Sequence, residues 1–329
     1  MKQHEQFYFT QSMLTKIANI SASTISRLTT KLDLKSSTPE IRKKYSFQET
    51  RTILREIVSK EYIVDKKIQV FFNFKGGTGK TSLCHQISIQ MALLGFKVLA
   101  VDCDPQAHLT YALGIQEGEE KLTLFDVIVN KLPVKETIIN IYPGLDLIPS
   151  DLSLTRIELP LSQSTNREKI LQKIIDPLKK EYDFIFIDTN PTISTLNQNA
   201  TYCADTVNIV CETQPFSLKG LEMLVRELEE FSTSMDKKIH YKIIPNKYES
   251  KTATSQEVLG SLRHDYKDVV LESIVRRCED INISAKKRLP VCAFCKKSSI
   301  AFEDICDLSL SMLNESAHKI RTVSTVTGI

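Results

Sequence analysis

The chain has 329 residues, of which 42% are hydrophobic and 25% charged, and a formal net charge of +3. These values belong to a globular protein large enough to bury a core without staples. No apolar run reaches the roughly 18 residues of a spanning helix, and the opening MKQHEQFYFT has no continuous apolar core, so a membrane span and a secretory leader are not expected. Eight cysteines follow no repeating pattern and are expected as free thiols in a reducing cytoplasm. The charge is uneven: residues 1–66 balance at +5 and the other 263 at −2, which directs attention at the N-terminal segment toward an acidic partner such as nucleic acid.

In chain order, residues 10–19 and 22–32 carry helical apolar spacing (Met13, Leu14 and Ile17; then Ile25, Leu28 and Leu32) on either side of Ile20 and Ser21. This is the plan of two helices joined by a tight turn. Ser46, with Glu49 three residues on, marks the start of a third helix that runs through residues 50–59. Residues 60–67 read as a polar linker. The chain is therefore divided into a small all-α unit, residues 1–66, and a larger one, residues 67–329.

From Ile68 onward short β-branched runs alternate with helical stretches. Strands are expected at 68–74, 97–102, Leu145–Ile148, Phe184–Asp188, 206–211, 239–244 and 269–274, and helices at 81–94, 167–180, 218–231 and 300–313. Such alternation predicts an α/β fold with a doubly wound, mostly parallel sheet.

Lys75 to Ser82 read KGGTGKTS, between the first strand and the first helix of this unit. Gly76, Gly77, Thr78 and Gly79 let backbone N–H groups close round phosphate oxygens, at the positive end of the helix that follows. Lys80 then reaches the β and γ phosphates of a nucleotide, Thr81 holds magnesium, and Ser82 completes the motif. An ordinary phosphate loop has no use for the extra lysine, Lys75. Two carboxylate sites fall at later strand ends, where doubly wound sheets place ligands: Asp102 and Asp104 in VDCDPQ, and Asp188 in DFIFIDTNP. Asp188 suits the water shell of magnesium, and a carboxylate near the γ phosphate orients the attacking water.

NFKGGTGKTS, VDCDPQAHLT and FIFIDTNP, supported by QPFSLKGLEMLVREL at residues 214–228, resemble the nucleotide-site motifs of the ParA/MinD family of ATPases. The resemblance implies ATP and Mg2+ as cofactors and a homodimer closed around ATP. In that dimer Lys75 reaches the partner's phosphates, Asp104 positions the hydrolytic water, and Asn246 in IIPNKY stands where the family reads adenine. After Asp188 the family usually has a pair of prolines. This chain has Thr189-Asn190-Pro191, and the loss of one proline is expected to loosen the loop.

Residues 18–28 are similar to the turn and recognition helix of bacterial repressors. That similarity implies that Ile20 and Ile25 lock the two helices while Ser21, Ser23, Thr24, Ser26 and Arg27 face the major groove of operator DNA. Asn19 stands where glycine is usual. Residues 38–54 resemble the arm and third helix of MerR-like winged domains, with Arg42, Lys43 and Lys44 toward phosphates. A three-helix dimerisation module is the alternative.

Farther on, Cys292 and Cys295 form a C-x-x-C without a second pair. Arg276, Arg277, Lys286, Lys287 and Arg288 form a basic region that in the family binds DNA without sequence preference. The tail HKIRTVSTVTGI lacks the apolar stripe of a membrane helix. Together these features imply a cytoplasmic, nucleoid-associated partition ATPase for plasmid or chromosome segregation, weakly active, stimulated by a ParB-like centromere-binding protein and repressing its own operon. The alternatives are a transcriptional regulator with an ATPase switch and an iron–sulfur carrier of the same superfamily.

Overall fold

A computed structural model describes residues 7–34 and 44–320. The chain runs first through β1 (Phe9–Thr10), α1 (Gln11–Ala18), α2 (Ala22–Lys31), β2 (Lys44–Tyr45), α3 (Phe47–Arg55) and β3 (Tyr62–Val64). α1 stops because Asn19 takes a left-handed φ of 51°, which Asn tolerates better than most residues. α2 starts at Ser21, whose hydroxyl accepts the Thr24 N–H. α3 opens on a complete capping box between Ser46 and Glu49. Of the three residues assigned to phosphate contact, Lys44 lies in β2, and Arg42 and Lys43 lie outside the described residues.

The larger part continues with β4 (Ile68–Phe72), α4 (Lys80–Leu93), β5 (Val98–Asp102), α5 (His108–Ala112), α6 (Leu124–Ile128), β6 (Ile139–Tyr142) and β7 (Leu145–Ile148). It then passes through α7 (Glu158–Ser162), α8 (Ile170–Ile175), β8 (Phe184–Asp188), α9 (Thr195–Cys203), β9 (Thr206–Glu212), α10 (Ser217–Ser234) and β10 (Tyr241–Asn246). Last come α11 (Ala253–Asp265), α12 (Glu279–Lys287), α13 (Val291–Phe294), α14 (Ile300–Ser316) and β11 (Ala317–Lys319). Seven strands form one sheet in the order β10-β9-β4-β8-β5-β7-β6. Every neighbouring pair is parallel except β6 with β7. β4, β5, β8 and β9 are buried throughout, as strands covered on both faces must be.

Period-two alternation divides the sheet's side chains between two cores. Phe71, Ala100, Phe186 and Val210 face one, under α4, α14 and the N-terminal helices. Val70, Val101, Ile187 and Ile209 face the other, with residues of α8 to α11. The first core does not stop at residue 66: Phe7, Phe9, Leu14, Ile17, Phe47 and Ile53 belong to it. Phe47 stacks on Tyr142 with centroids 5.2 Å apart, and the Arg51 guanidinium donates to the Ala92 carbonyl and to that of Phe96 at 2.6 Å. Close packing here requires Gly95, at φ +103°, because a Cβ on it would lie 2.6 Å from Arg55 Cα.

Three expectations change. Residues 60–67 are not a free linker, since β3 pairs antiparallel with β11 and the Asp65 and Lys66 N–H groups both donate to the Ser316 carbonyl. Residues 167–180 are not one helix: α8 is flanked by single 3-10 segments, the second of which opens at Asp176 with Pro177 in its first turn, where a missing N–H is tolerated. Residues 269–274 form only one isolated bridge with β10, Val270 with Ile243. Ile243 donates toward this segment, and Pro245, two residues on and facing the same side, has no N–H to continue the ladder. The edge strand β6 and helices α9, α11 and α12 lack clear periodicity and are structural additions.

Candidate active site

Sheet register brings the functional strand ends together. Phe71 is opposite Asp188, and Asp188 is opposite Asp102. On the other side of β4, Glu212 is opposite Asn246. The loop from Lys75 to Gly79 leaves β4 between these pairs and enters α4 at Lys80. Gly77 and Gly79 have φ of 76° and 98°, values that favour glycine. The first-turn N–H groups of α4, at Lys80, Thr81 and Ser82, point at the loop. Lys80 is buried, its Nζ 3.4 Å from the Lys75 carbonyl. Burial lowers its pKa, and the Asp188 and Asp104 carboxylates oppose the shift.

The carboxylates divide by hydrogen bonding. Asp102 is saturated: it accepts from the Thr110 N–H and hydroxyl at 2.9 and 2.7 Å and from the Asp104 N–H at 3.0 Å. Burial pushes it up to about 6. Asp104, 6% exposed, accepts the Gln106 N–H at 2.9 Å, and its carbonyl accepts the Ser150 hydroxyl. Ala107, just beyond, holds a left-handed φ of 55°, the kind of local strain found where a loop is over-determined. Asp188 is wholly buried, and neither carboxylate oxygen has a hydrogen-bond partner among the described residues. Burial and then Asp102 push its pKa well up, against the Thr81 hydroxyl and the Lys80 ammonium. A desolvated, unpartnered carboxylate beside a phosphate-loop threonine fits a hydrated divalent cation, as Mg2+ requires few protein oxygens.

Asn246 is buried and its carboxamide donates to the Thr78 carbonyl at 2.6 Å. Its neighbour Lys247 donates to the Gly77 carbonyl. Because the C=O and the following N–H of a peptide point in opposite directions, holding these two carbonyls outward aims the Thr78 and Gly79 N–H groups into the cradle. Asn246 thus braces the loop with the very group assigned to adenine. Two partners of this clamp escaped the sequence reading. Glu212, 5% exposed, accepts Lys75 on one oxygen at 2.6 Å and Lys247 on the other at 2.7 Å. Burial opposes its ionisation, but hydrogen bonds from Lys247 and Lys75 prevail and hold its pKa below the usual value. It ends β9 as Asp102 and Asp188 end their strands, which was the available signal.

The loop after Asp188 is tied rather than loosened. Asn197 on α9 donates to the Asn190 carbonyl and side chain and to the Thr192 carbonyl, at 3.0, 2.7 and 2.6 Å. Thr189 donates to the Phe71 carbonyl, and Pro191 lies 3.9 Å from where a Gly76 side chain would begin. Asn190 therefore substitutes hydrogen bonds for the rigidity of a second proline.

At the N-terminal turn, Ser21 bonds the Ser23 and Thr24 hydroxyls, Gln11 donates to Ser26 Oγ, and Arg27 is exposed. The C-terminal basic residues are held separately. Arg276 is committed to Asp304 and Glu303, at 2.5 and 2.9 Å. Arg277 pairs with Glu249, Lys287 lies over the Phe294 ring, and Arg288 donates to Gln116. Cys292 is buried in the core and Cys295 only partly exposed, with both thiols pushed up by burial. No group of His, Cys, Asp and Glu among the described residues is arranged to hold a metal by itself. No helix among them is long and apolar enough to cross a membrane.

A family model described as an AAA domain matches residues 66–241. Cell division protein PomZ of Myxococcus xanthus is 31% identical over 225 residues, 68% of this chain and 70% of that one. Chromosome partitioning protein ParA of Caulobacter vibrioides is 29% identical over 64% of this chain and 80% of its own. Among solved structures, the ATP complex of a Cyanothece McdA variant superposes with a TM-score of 0.66 at 19% identity, covering 75% of this chain and 97% of that one. Cobyrinic acid a,c-diamide synthase from Mycobacterium smegmatis, with an ATP analogue and magnesium, gives 0.66 at 21% identity, over 76% and 95%.

Proposed function

The chain belongs to the ParA family of P-loop ATPases, and we propose from that premise that it is a DNA-partition ATPase whose ATP-bound dimer holds DNA and whose hydrolysis releases it. The observation that carries the reading is Asp188, a buried carboxylate without partners beside Lys80 and Thr81. Lys80 balances the β and γ phosphates. Thr81 and Asp188 would hold magnesium, which when bound would neutralise charge on the phosphates. The N–H groups aimed by Asn246 and Lys247 receive phosphate oxygens. Asp104, fixed by the Gln106 N–H and by Ser150 through its own carbonyl, orients water for attack. Lys75 serves the other subunit's phosphates.

In this reading the exposed Arg27, with Ser21, Ser23, Thr24 and Ser26, reads operator DNA, while Arg277, Lys287 and Arg288 meet phosphates of any sequence. Arg276 contributes less, because two carboxylates already occupy it. A ParB-like protein is the implied stimulating partner, and the cytoplasm over the nucleoid the place of action. Sedimentation with a non-hydrolysable ATP analogue tests the core of this reading. Wild type should pair, and Lys75→Ala should bind the analogue but remain single. A wild-type chain that stays single at saturating analogue would refute it.

A further inference from the structure

Lys75 makes an ionic contact that nucleotide binding within one subunit does not need. Its backbone is anchored: the N–H donates to Asn73 Oδ1 at 2.9 Å, and Asn73 in turn donates to the Val210 carbonyl on β9. Its side chain is 48% exposed and ends 2.6 Å from Glu212 Oε2. The stem is thus fixed while the ammonium can swing without moving the loop. Glu212 itself is buried, and its second oxygen is held by Lys247 at 2.7 Å. A buried negative charge so near a triphosphate site works against ATP unless it has another task.

We infer that Glu212 is an intramolecular latch: in the free subunit it occupies Lys75, standing in for the partner's phosphate, and it releases the lysine when two ATP-loaded subunits meet. The inference rests on the assignment of Lys75 to the partner's nucleotide made above. Lys247 makes the exchange feasible. When Lys75 leaves, the carboxylate keeps one ammonium and is not left as an uncompensated buried charge. The latch therefore sets the concentration at which subunits pair, and Glu212 is a positioning residue that acts through Lys75.

Glu212→Gln keeps the shape and one of the two acceptor oxygens while removing the charge, so that only one of Lys75 and Lys247 can still be accepted. With a non-hydrolysable ATP analogue, Glu212→Gln should pair at about five-fold lower protein concentration than wild type, the effect of two half-exposed ion pairs, one in each subunit. Glu212→Gln combined with Lys75→Ala should stay single. A role in shaping the loop alone predicts the opposite sign. The second readout does not depend on pairing: amine-reactive labelling of Lys75 in nucleotide-free protein, followed by peptide mass spectrometry, should be several-fold faster in Glu212→Gln than in wild type. Unchanged labelling overturns the latch. Equal or weaker pairing of Glu212→Gln, with wild type pairing normally, also overturns it and leaves the ATP-dimer reading intact. Wild type that never pairs overturns that reading and, with it, the latch that rests on it. If Glu212→Gln fails to fold, Glu212→Asp, whose charge is withdrawn by one methylene, is held to the same outcomes.

Discussion

Phe47→Ala tests whether the N-terminal helices and the ATPase unit are one cooperative body. Phe47 is 1% exposed and stacks on Tyr142 of β6, with Phe7 and Phe9 at 6.2 and 6.4 Å. Truncating a buried phenylalanine costs about 3–5 kcal/mol, the lost ring contacts included. The upper part of that range is expected, because Arg51 and Gly95 fix the surrounding backbone and limit collapse into the cavity. Urea unfolding should be followed twice, by far-ultraviolet circular dichroism and by release of a fluorescent ADP analogue. Both midpoints should fall together, since Tyr142 pairs through β6 with β7, and β7 with β5, which ends at Asp102. If the nucleotide signal kept its wild-type midpoint while part of the helical signal melted early, the shared core would not couple the two parts and the reasoning would be wrong.

Lys80→Ala should abolish ATP binding by calorimetry, because it removes the buried charge facing the phosphates; unchanged affinity would sink the site. Gly79→Ala combines a φ of 98° with a Cβ directed into the Asn246 carboxamide, and strain of about 1–2 kcal/mol should cost roughly ten-fold or more in ADP affinity. Asp104→Ala should bind the ATP analogue and pair normally but lose phosphate release, and normal turnover would remove it from the mechanism. Arg27→Ala with Thr24→Ala should weaken promoter binding by about 1–3 kcal/mol per base contact and spare ATP-dependent binding to random duplex. Alanine at Arg277, Lys287 and Arg288 should do the reverse and flatten the salt dependence. Parallel losses in fluorescence anisotropy would rule out two separate surfaces.

The phosphate loop and the strand-end carboxylates were legible because their chemistry is local: glycines, a lysine and a hydroxyl in sequence, and acids closing apolar runs. β4, β5, β8 and β9 could be read for the same reason, as continuous apolar segments. What escaped depends on partners far along the chain. Nothing adjacent to Tyr62–Val64 announces that it pairs with Ala317–Lys319, since a short mixed strand carries no period of its own. Glu212 gains meaning only when the sheet order sets β9 beside both β4 and β10, bringing Lys75 and Lys247 to one carboxylate. Asn190 looked like a missing proline until α9, itself without clear amphipathic spacing, supplied Asn197.

The pairing of β3 with β11 also imposes an order on biosynthesis. β3 leaves the ribosome before any strand of the central sheet, whereas its partner is among the last described residues to emerge, 253 positions later for the Asp65–His318 contact. Through most of translation the Tyr62–Val64 edge has no companion, and the carbonyl of Ser316 that receives Asp65 and Lys66 does not yet exist. α14, which supplies the Asp307 carboxylate that grips Lys16 at 3.0 Å, arrives just before it. A product cut before Ala317 lacks the strand that pairs with Tyr62–Val64, so its N-terminal helices are held through the core around Phe47 and Arg51 without that second attachment.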